Sequence, residues 1–447
     1  MITQYVRIDT TDLRLGMFIA DLDRPWLDTP FLFQGFLLED EEDLRTLQRL
    51  CKYVEIDLRR STIDLSSLKQ PIAAPSRKLG QMPAAPSRTI QRLSENDRPL
   101  TGPPLAPPGV TLTAYVDDVP FHQELPRASK AYGRTKEALA ELVHDALGGS
   151  DLHIDQVDEV VDDMVESMIS NPDAMMWVSR LRKEDIKTYA HGIRVSVYLL
   201  ALGRQLGFPT PELHQLGMAG LLLDLGNINT PRELLEKRGK LTPEEYEVVK
   251  RHVDYGLEML SGLPKLHSNV LEGIAQHHER LNGRGYPKGL QGDDVGIFGR
   301  MAGIADSFAA LTSPRPYDST FSPSDALSKL YEASGEYFHR PLIERFVRAI
   351  GAFPVGSLVE LSTGEVAVVV RHNRVRRLQP TVLLITDPGK QALDRPMGFD
   401  LLYQHSIGGD TPVRIRCGLP ADAYGIDTSG YYISQTFMER PGSPPLS

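Results

Sequence analysis

A Pro/Ala-rich stretch at 69–110 constrains the fold more than any other feature of this chain. The run Ala-Ala-Pro-Ser-Arg occurs in it twice, at 73–77 and 84–88. Such a composition has too few large apolar side chains to bury a core and favours extended chain. The segments on either side must therefore fold as separate units. At 447 residues the chain is in any case too long for one compact core.

The segment before the linker, 3–68, reads as a small α+β domain. Tyr5-Val-Arg-Ile alternates like a strand, and the run at 13–20 continues the pattern after a Gly break. Leu44, Leu47 and Leu50 give 40–50 helical spacing, and Tyr53-Val-Glu-Ile-Asp reads as another strand. No polar residues converge here, so structure or protein contact is the default role. From 127 to 350 nearly everything reads as helix. Amphipathic or apolar helices are predicted at 130–147, 154–169, 175–181, 184–206, 212–223, 301–311 and 341–350. Thr242-Pro-Glu-Glu opens a further one with a capping Thr and Pro at the first position. About eight helices with short connections make one bundle. After Pro354 short β runs take over, giving a small antiparallel appendage over 351–403, and 404–447 reads as an irregular tail. The expectation is a multidomain, mainly α protein.

The chain carries a net charge of -10, so no general affinity for a nucleic acid polymer is implied. Its two cysteines, Cys51 and Cys417, stand far apart and can build neither a disulfide framework nor a thiolate zinc site. No apolar run reaches the length of a membrane span, and the first residues lack the regions of a signal peptide. These features point to the cytoplasm.

The densest chemistry lies at 276–287, Gln-His-His-Glu-Arg-Leu-Asn-Gly-Arg-Gly-Tyr-Pro. Two histidines close an apolar helical run and lead into a tight loop. Successive helical residues point about 100° apart, so His277 and His278 can both ligate only around a broad centre at the helix end. The bland alternative is one core histidine, one surface histidine and a Gly-rich turn. His191, Asp224, His252 and Asp306 likewise end or interrupt apolar helical stretches. Each has a dull explanation alone, but a carboxylate inside so apolar a run needs a partner. Histidine and carboxylate together suit Mn, Fe or Zn rather than Ca.

Five blocks turn this pattern into a resemblance. They are Tyr189-Ala-His-Gly-Ile-Arg-Val, Gly220-Leu-Leu-Leu-Asp-Leu-Gly-Asn, Lys250-Arg-His-Val-Asp-Tyr-Gly, the stretch at 277–287, and Ala305-Asp-Ser-Phe-Ala-Ala-Leu-Thr-Ser-Pro-Arg-Pro-Tyr. In this order the chain resembles the HD-GYP family of HD metal-dependent phosphohydrolases, over 185–350. Its first unit is similar to a domain of unknown function that often precedes HD-GYP domains, through Gly16-Met-Phe and Pro25-Trp-Leu-Asp-Thr-Pro-Phe. The resemblance implies an HD-type helical bundle that hydrolyses cyclic di-GMP to pGpG or GMP. It implies an Fe or Mn centre of about two or three ions, whose bridging hydroxide attacks phosphorus. The implied metal ligands are His191, Asp224, His252, His277, His278 and Asp306, with Asp224 also catalytic. Arg315 and Tyr286 would bind substrate. Gly285, Tyr286 and Pro287 would form the loop associated with substrate access and with GGDEF-domain partners. A homodimer is compatible with the sequence.

Three positions depart from the pattern. Leu223 replaces the histidine of the name-giving dyad and cannot ligate. Asn227 replaces a lysine that would face substrate phosphate. Lys187 stands where some members place a carboxylate, one turn before His191. Two expectations follow: a phosphodiesterase with a reduced site and weak turnover, or an inactive binding module acting through GGDEF partners.

Overall fold

The computed structural model describes residues 5–23, 36–38, 41–58, 61–62, 105–150, 152–181, 187–237, 239–263, 266–313, 320–373, 378–403, 407 and 413–431. They fall in two compact units, Met1–Gly102 and Pro103–Ser447. Most of the Pro/Ala-rich stretch lies outside the described residues, and so does Arg315.

The first unit contains β1 (Tyr5–Asp9), β2 (Phe18–Leu22), β3 (Phe36–Leu37), α1 (Glu41–Leu50) and β4 (Tyr53–Asp57). The strands form an antiparallel sheet in the order β1-β4-β2-β3. Gly16 takes a left-handed φ of 89° and donates its N–H to the Leu38 carbonyl at 2.7 Å. This turn explains why the expected second strand begins only at Phe18. Met17, Ile19, Leu47, Val54 and Ile56 are fully buried. This is the α+β module read from the sequence.

The second unit opens with α2 (Phe121–Gly148), α3 (Asp155–Ser170), α4 (Pro172–Leu181), α5 (Lys187–Leu206) and α6 (Thr210–Leu222). It continues through α7 (Arg232–Leu235), α8 (Pro243–Lys250), α9 (His252–Leu260), α10 (Ser268–Gln276), α11 (Ile297–Leu311), α12 (Pro323–Glu332) and α13 (Arg340–Ile350). These twelve helices among the described residues exceed the eight expected. The added ones, α7, α9, α10 and α12, have ten residues or fewer, and so short a stretch carries little periodicity. Helix α2 also starts nine residues before its expected position, with Pro126 inside it. Phe121, edge-on to Trp177 at 6.0 Å, anchors the turn that local propensity would lose.

Helix α5 lies at the centre of the bundle and packs on α6, α11 and α13. Ile193, Val195 and the run from Val197 to Leu200 are fully buried. Tyr198, Phe308 and Phe346 meet edge to face, with centroids 5.0, 5.3 and 6.3 Å apart. Such rings dominate core energetics through buried area. Thr242 caps α8 as its sequence suggests: Glu245 N–H donates to its hydroxyl at 3.3 Å, and Thr242 N–H donates to the Glu245 carboxylate at 2.7 Å.

Five strands follow: β5 (Leu358–Leu361), β6 (Val366–Arg371), β7 (Thr381–Thr386), β8 (Ala392–Asp400) and β9 (Ile415–Leu419). They form an antiparallel sheet in the order β8-β7-β6-β5-β9. Strand β9 corrects the expectation of an irregular tail over 404–447. Ile415-Arg-Cys-Gly-Leu has no clear alternation, and pairing with β5 together with packing on α12 makes it a strand. The sheet is pinned to the bundle at a buried pair. His372 donates its backbone N–H to the Asp173 carboxylate at 3.0 Å, while its Nδ1 lies 3.1 Å from the other carboxylate oxygen and its Nε2 3.1 Å from the Phe353 carbonyl.

His339, which precedes α13, is buried with its Nδ1 3.5 Å from the Arg300 guanidinium. Burial and that cation hold it down to about 4, against an opposing pull from Asp293. Between about 4 and the ordinary 6.5 the unfolded chain binds a proton that the folded chain does not, so stability falls as pH drops through that window. The thermal midpoint is expected to decline from pH 6.5 to 4, and to decline less in His339→Asn. An equal decline in that variant would show that other groups set it.

Candidate metal centre

Four helix ends converge in the bundle. Helix α6 runs out of its apolar stretch at Leu222, and the turn that follows presents Asp224. This turn lies hard against the start of α9. A Cβ on Gly226 would stand 2.0 Å from the His252 carbonyl and 2.4 Å from Gly256 N, so only glycine permits the approach that sets Asp224 beside His252. His277 ends α10. A Cβ on Gly303 would stand 2.9 Å from the His277 carbonyl, and that close packing of α11 brings in Asp306. Helix α5 supplies His191.

The distances define a cluster. His191 Nε2–H donates to Asp306 Oδ1 at 2.8 Å and lies 3.8 Å from Asp224 Oδ2. His252 Nε2 is 3.5 Å from Asp224 Oδ1 and 3.4 Å from His277 Nε2. His278 Nδ1 is 3.9 Å from Asp306 Oδ2. Ligand atoms of His252, His277 and His278 all lie within 4.8 Å of one another.

The tautomers follow from the outer hydrogen bonds. His252 Nδ1–H donates to the Val249 carbonyl at 2.8 Å, and His277 Nδ1–H donates to the Ile274 carbonyl at 2.7 Å. Carbonyls only accept, so both Nδ1 atoms carry hydrogen, and the two Nε2 atoms face each other 3.4 Å apart. A metal ion between these two nitrogens would be held by both. This is the arrangement of metal-bound imidazoles oriented by backbone carbonyls, and the donor set fits a metal ion.

Electrostatics agree. Burial, reinforced by His277, pushes His278 well below its ordinary pKa, and burial lowers His277. Burial also opposes protonation of His191, but its hydrogen bond to Asp306 and the charges of Asp306 and Asp224 prevail and raise it. For Asp306 burial favours the neutral acid. The His191 hydrogen bond overcomes this, with nearby His278 helping, and the carboxyl sits well below the usual range.

Tyr286 stacks on His278 with centroids 4.5 Å apart and is held above its ordinary pKa by burial and by Tyr246, Asp306 and Asp224. Its N–H donates to the His278 carbonyl at 3.2 Å, and its bond to Pro287 is cis. Gly285 and Pro287 lie in this same loop, with Pro287 exposed. Buried Glu279 clamps the loop from below, accepting from Lys288 N–H at 2.7 Å and Leu290 N–H at 3.0 Å. The sequence places this carboxylate directly after the histidines, but its backbone partners appear only in the fold. Removing its side chain in Glu279→Ala deprives two part-buried donors of their acceptor, which costs up to about 1–3 kcal/mol each when water does not replace it. The amides of Lys288 and Leu290 are expected to exchange with solvent much faster in that variant. Unchanged protection would mean the loop holds itself.

Leu223 is buried, with 1% of its surface exposed. Of the expected ligands, His191, Asp224, His252, His277, His278 and Asp306 all meet here. Lys187 opens α5, and Asn227 is half-buried in the turn after Asp224.

Histidines and aspartates gathered around one centre in a helical bundle are the donor set of a metal site. Family comparison agrees. A model described as an HD domain matches residues 164–342, and a domain of unknown function matches 5–157, running past the first unit into α3. A cyclic di-GMP phosphodiesterase of Pseudomonas aeruginosa is 33% identical over 84% of this chain and 84% of its own. A cyclic di-GMP phosphodiesterase response regulator of Xanthomonas campestris is 39% identical over 33% of this chain and 39% of its own. A 3'3'-cGAMP-specific phosphodiesterase of Vibrio cholerae is 36% identical over 35% of this chain and 30% of its own. The chain belongs to the HD-GYP family. Among the described residues no helix is long and apolar enough to cross a membrane.

Proposed function

We propose that this protein is a metal-dependent cyclic di-GMP phosphodiesterase with a reduced centre and slow turnover. The observation that carries the reading is the pair of facing Nε2 atoms on His252 and His277, with His278 and Asp224 beside them. These four residues would hold one ion, of Fe or Mn given the mix of imidazole and carboxylate. A second ion would rest on His191, Asp224 and Asp306 alone, because Leu223 offers no ligand. Bound metal supplies charge for the phosphate and a nucleophilic water near neutral pH.

The chain's own residues do the rest. Val249 and Ile274 carbonyls fix the imidazole tautomers. Asp306 orients His191 and stays ionised, so it can take up a proton only at a penalty. Tyr286, stacked on His278, would shield that ring from bulk water. Asn227 brings no cation to the phosphate, and one missing preorganised donor of that kind typically slows catalysis about 10²- to 10³-fold.

Buried, non-ligating Leu223 favours a second reading, a module that binds the nucleotide and acts on a GGDEF-domain partner through the loop of Gly285, Tyr286 and Pro287. Cyclic di-GMP and 3'3'-cGAMP offered side by side with added Mn or Fe separate the two. The first reading expects slow cleavage of cyclic di-GMP that stops on chelation. Binding of the nucleotide with no cleavage under any metal would select the second.

A further inference from the structure

A cleft of about 380 Å³ adjoins the centre, near the lower end of the roughly 300–1,000 Å³ usual for small-molecule sites. His278 and Asp306 of the ligand cluster line it, and so do Arg280, Ser307, Lys329 and Phe338. Two features of this wall have no use in holding metal.

The first is Arg280. Its Nη1 donates to the carbonyls of His277 at 3.0 Å and Glu279 at 2.7 Å, and its Nη2 donates to the Ser307 hydroxyl at 3.3 Å. Its guanidinium carbon lies 4.9 Å from the Phe338 ring centre. Every one of these acceptors is neutral. Among the described residues no carboxylate comes within ion-pair distance of it, and Asp306, which lines the same cleft, is already bonded to His191. A cation drawn out of water without a counter-ion is costly, and a ligand anion would relieve it.

The second is Lys329, exposed on α12. Its ammonium rests 4.6 Å from the Phe321 ring centre, with no carboxylate partner among the described residues. Two cations and a ring thus line one cleft together with His278 and Asp306, and the Ser307 hydroxyl, which donates to the Gly303 carbonyl at 2.7 Å, accepts from one of the cations. A cyclic dinucleotide has two phosphates, and only one can be cut at a time.

We propose that Arg280, oriented by Ser307, and Lys329 form the subsite for the phosphate that is not being cleaved, holding the substrate so that the other phosphate meets the centre. Lys329 contacts the phosphate in this scheme, and Ser307, which accepts from Arg280, is a positioning residue. The inference rests on the phosphodiesterase reading, and the test separates the two.

Binding of cyclic di-GMP to the full metal-loaded protein would be measured by calorimetry at two salt concentrations, for the parent chain, Lys329→Met and Ser307→Ala, with metal content counted on each sample. Lys329→Met is expected to weaken binding about tenfold, as for loss of one charge-assisted contact. It is also expected to flatten the salt dependence and to leave metal content unchanged, a combination that a merely structural role would not give. Ser307→Ala should weaken binding less, with no change in salt dependence. Parent-like affinity and salt dependence in Lys329→Met would overturn the subsite and leave the phosphodiesterase reading standing. No binding of cyclic di-GMP by the parent chain would overturn both.

Discussion

Leu223→His combined with Asn227→Lys is expected to raise bound metal from about one ion per chain to about two, and to raise the rate of cyclic di-GMP hydrolysis roughly 10²- to 10³-fold. The reasoning starts from position. Leu223 closes α6 directly before Asp224, and Asp224 stands between His191 and His252 at 3.8 and 3.5 Å. A histidine there adds a donor beside the weaker half of the centre, where His191 and Asp306 now bind one another. The lysine adds a cation next to Asp224 for the phosphate. Leu223 is fully packed, so a histidine must displace apolar neighbours. The double variant is therefore expected to lose some thermal stability when metal is stripped and to regain it on loading, since an ion that binds only the folded state stabilises it. Metal content and rate that both stay at parent levels would mean that the departures at 223 and 227 are not what limits the centre.

His278→Ala is expected to act in the opposite direction, removing most bound metal and the hydrolysis with it. Among the described residues His252, His277 and His278 form the one group of three donors close enough to share an ion. Losing even a group that only orients a ligand costs about 10- to 100-fold in affinity, so losing a ligand should cost more. The same change removes the ring on which Tyr286 stacks, so the loop should loosen too. Metal counting distinguishes the effects. Full metal with altered loop protection would make His278 a support for Tyr286 and leave the ion to other residues.

Much of the centre was legible because its ligands break a rule. Asp224 after Gly220-Leu-Leu-Leu and Asp306 within an alanine-rich helix are carboxylates where apolar residues belong, and the structure gives each a histidine partner. Order and spacing of the five blocks supplied the rest. What escaped was what only packing decides. Strand β9 exists because β5 and α12 receive it, and the first turns of α2 exist because Phe121 meets Trp177. Glu279 was visible, but its partners Lys288 and Leu290 are backbone donors that no side-chain pattern announces. Lys329 looks like any solvated lysine on an amphipathic helix until α12 is placed beside the centre. The uncompensated charge of Arg280 depends on which groups fail to reach it, and a sequence does not carry that information.

The most direct test counts metal and measures cyclic di-GMP cleavage on the same anaerobically purified, Mn- or Fe-supplied sample. The account predicts about one tightly held ion per chain, in keeping with one complete and one incomplete set of donors, with slow cleavage that chelation abolishes. Two or more tightly held ions with rapid turnover would contradict it, because Leu223 would then be no loss. A chain that holds no metal at all would contradict it from the other side.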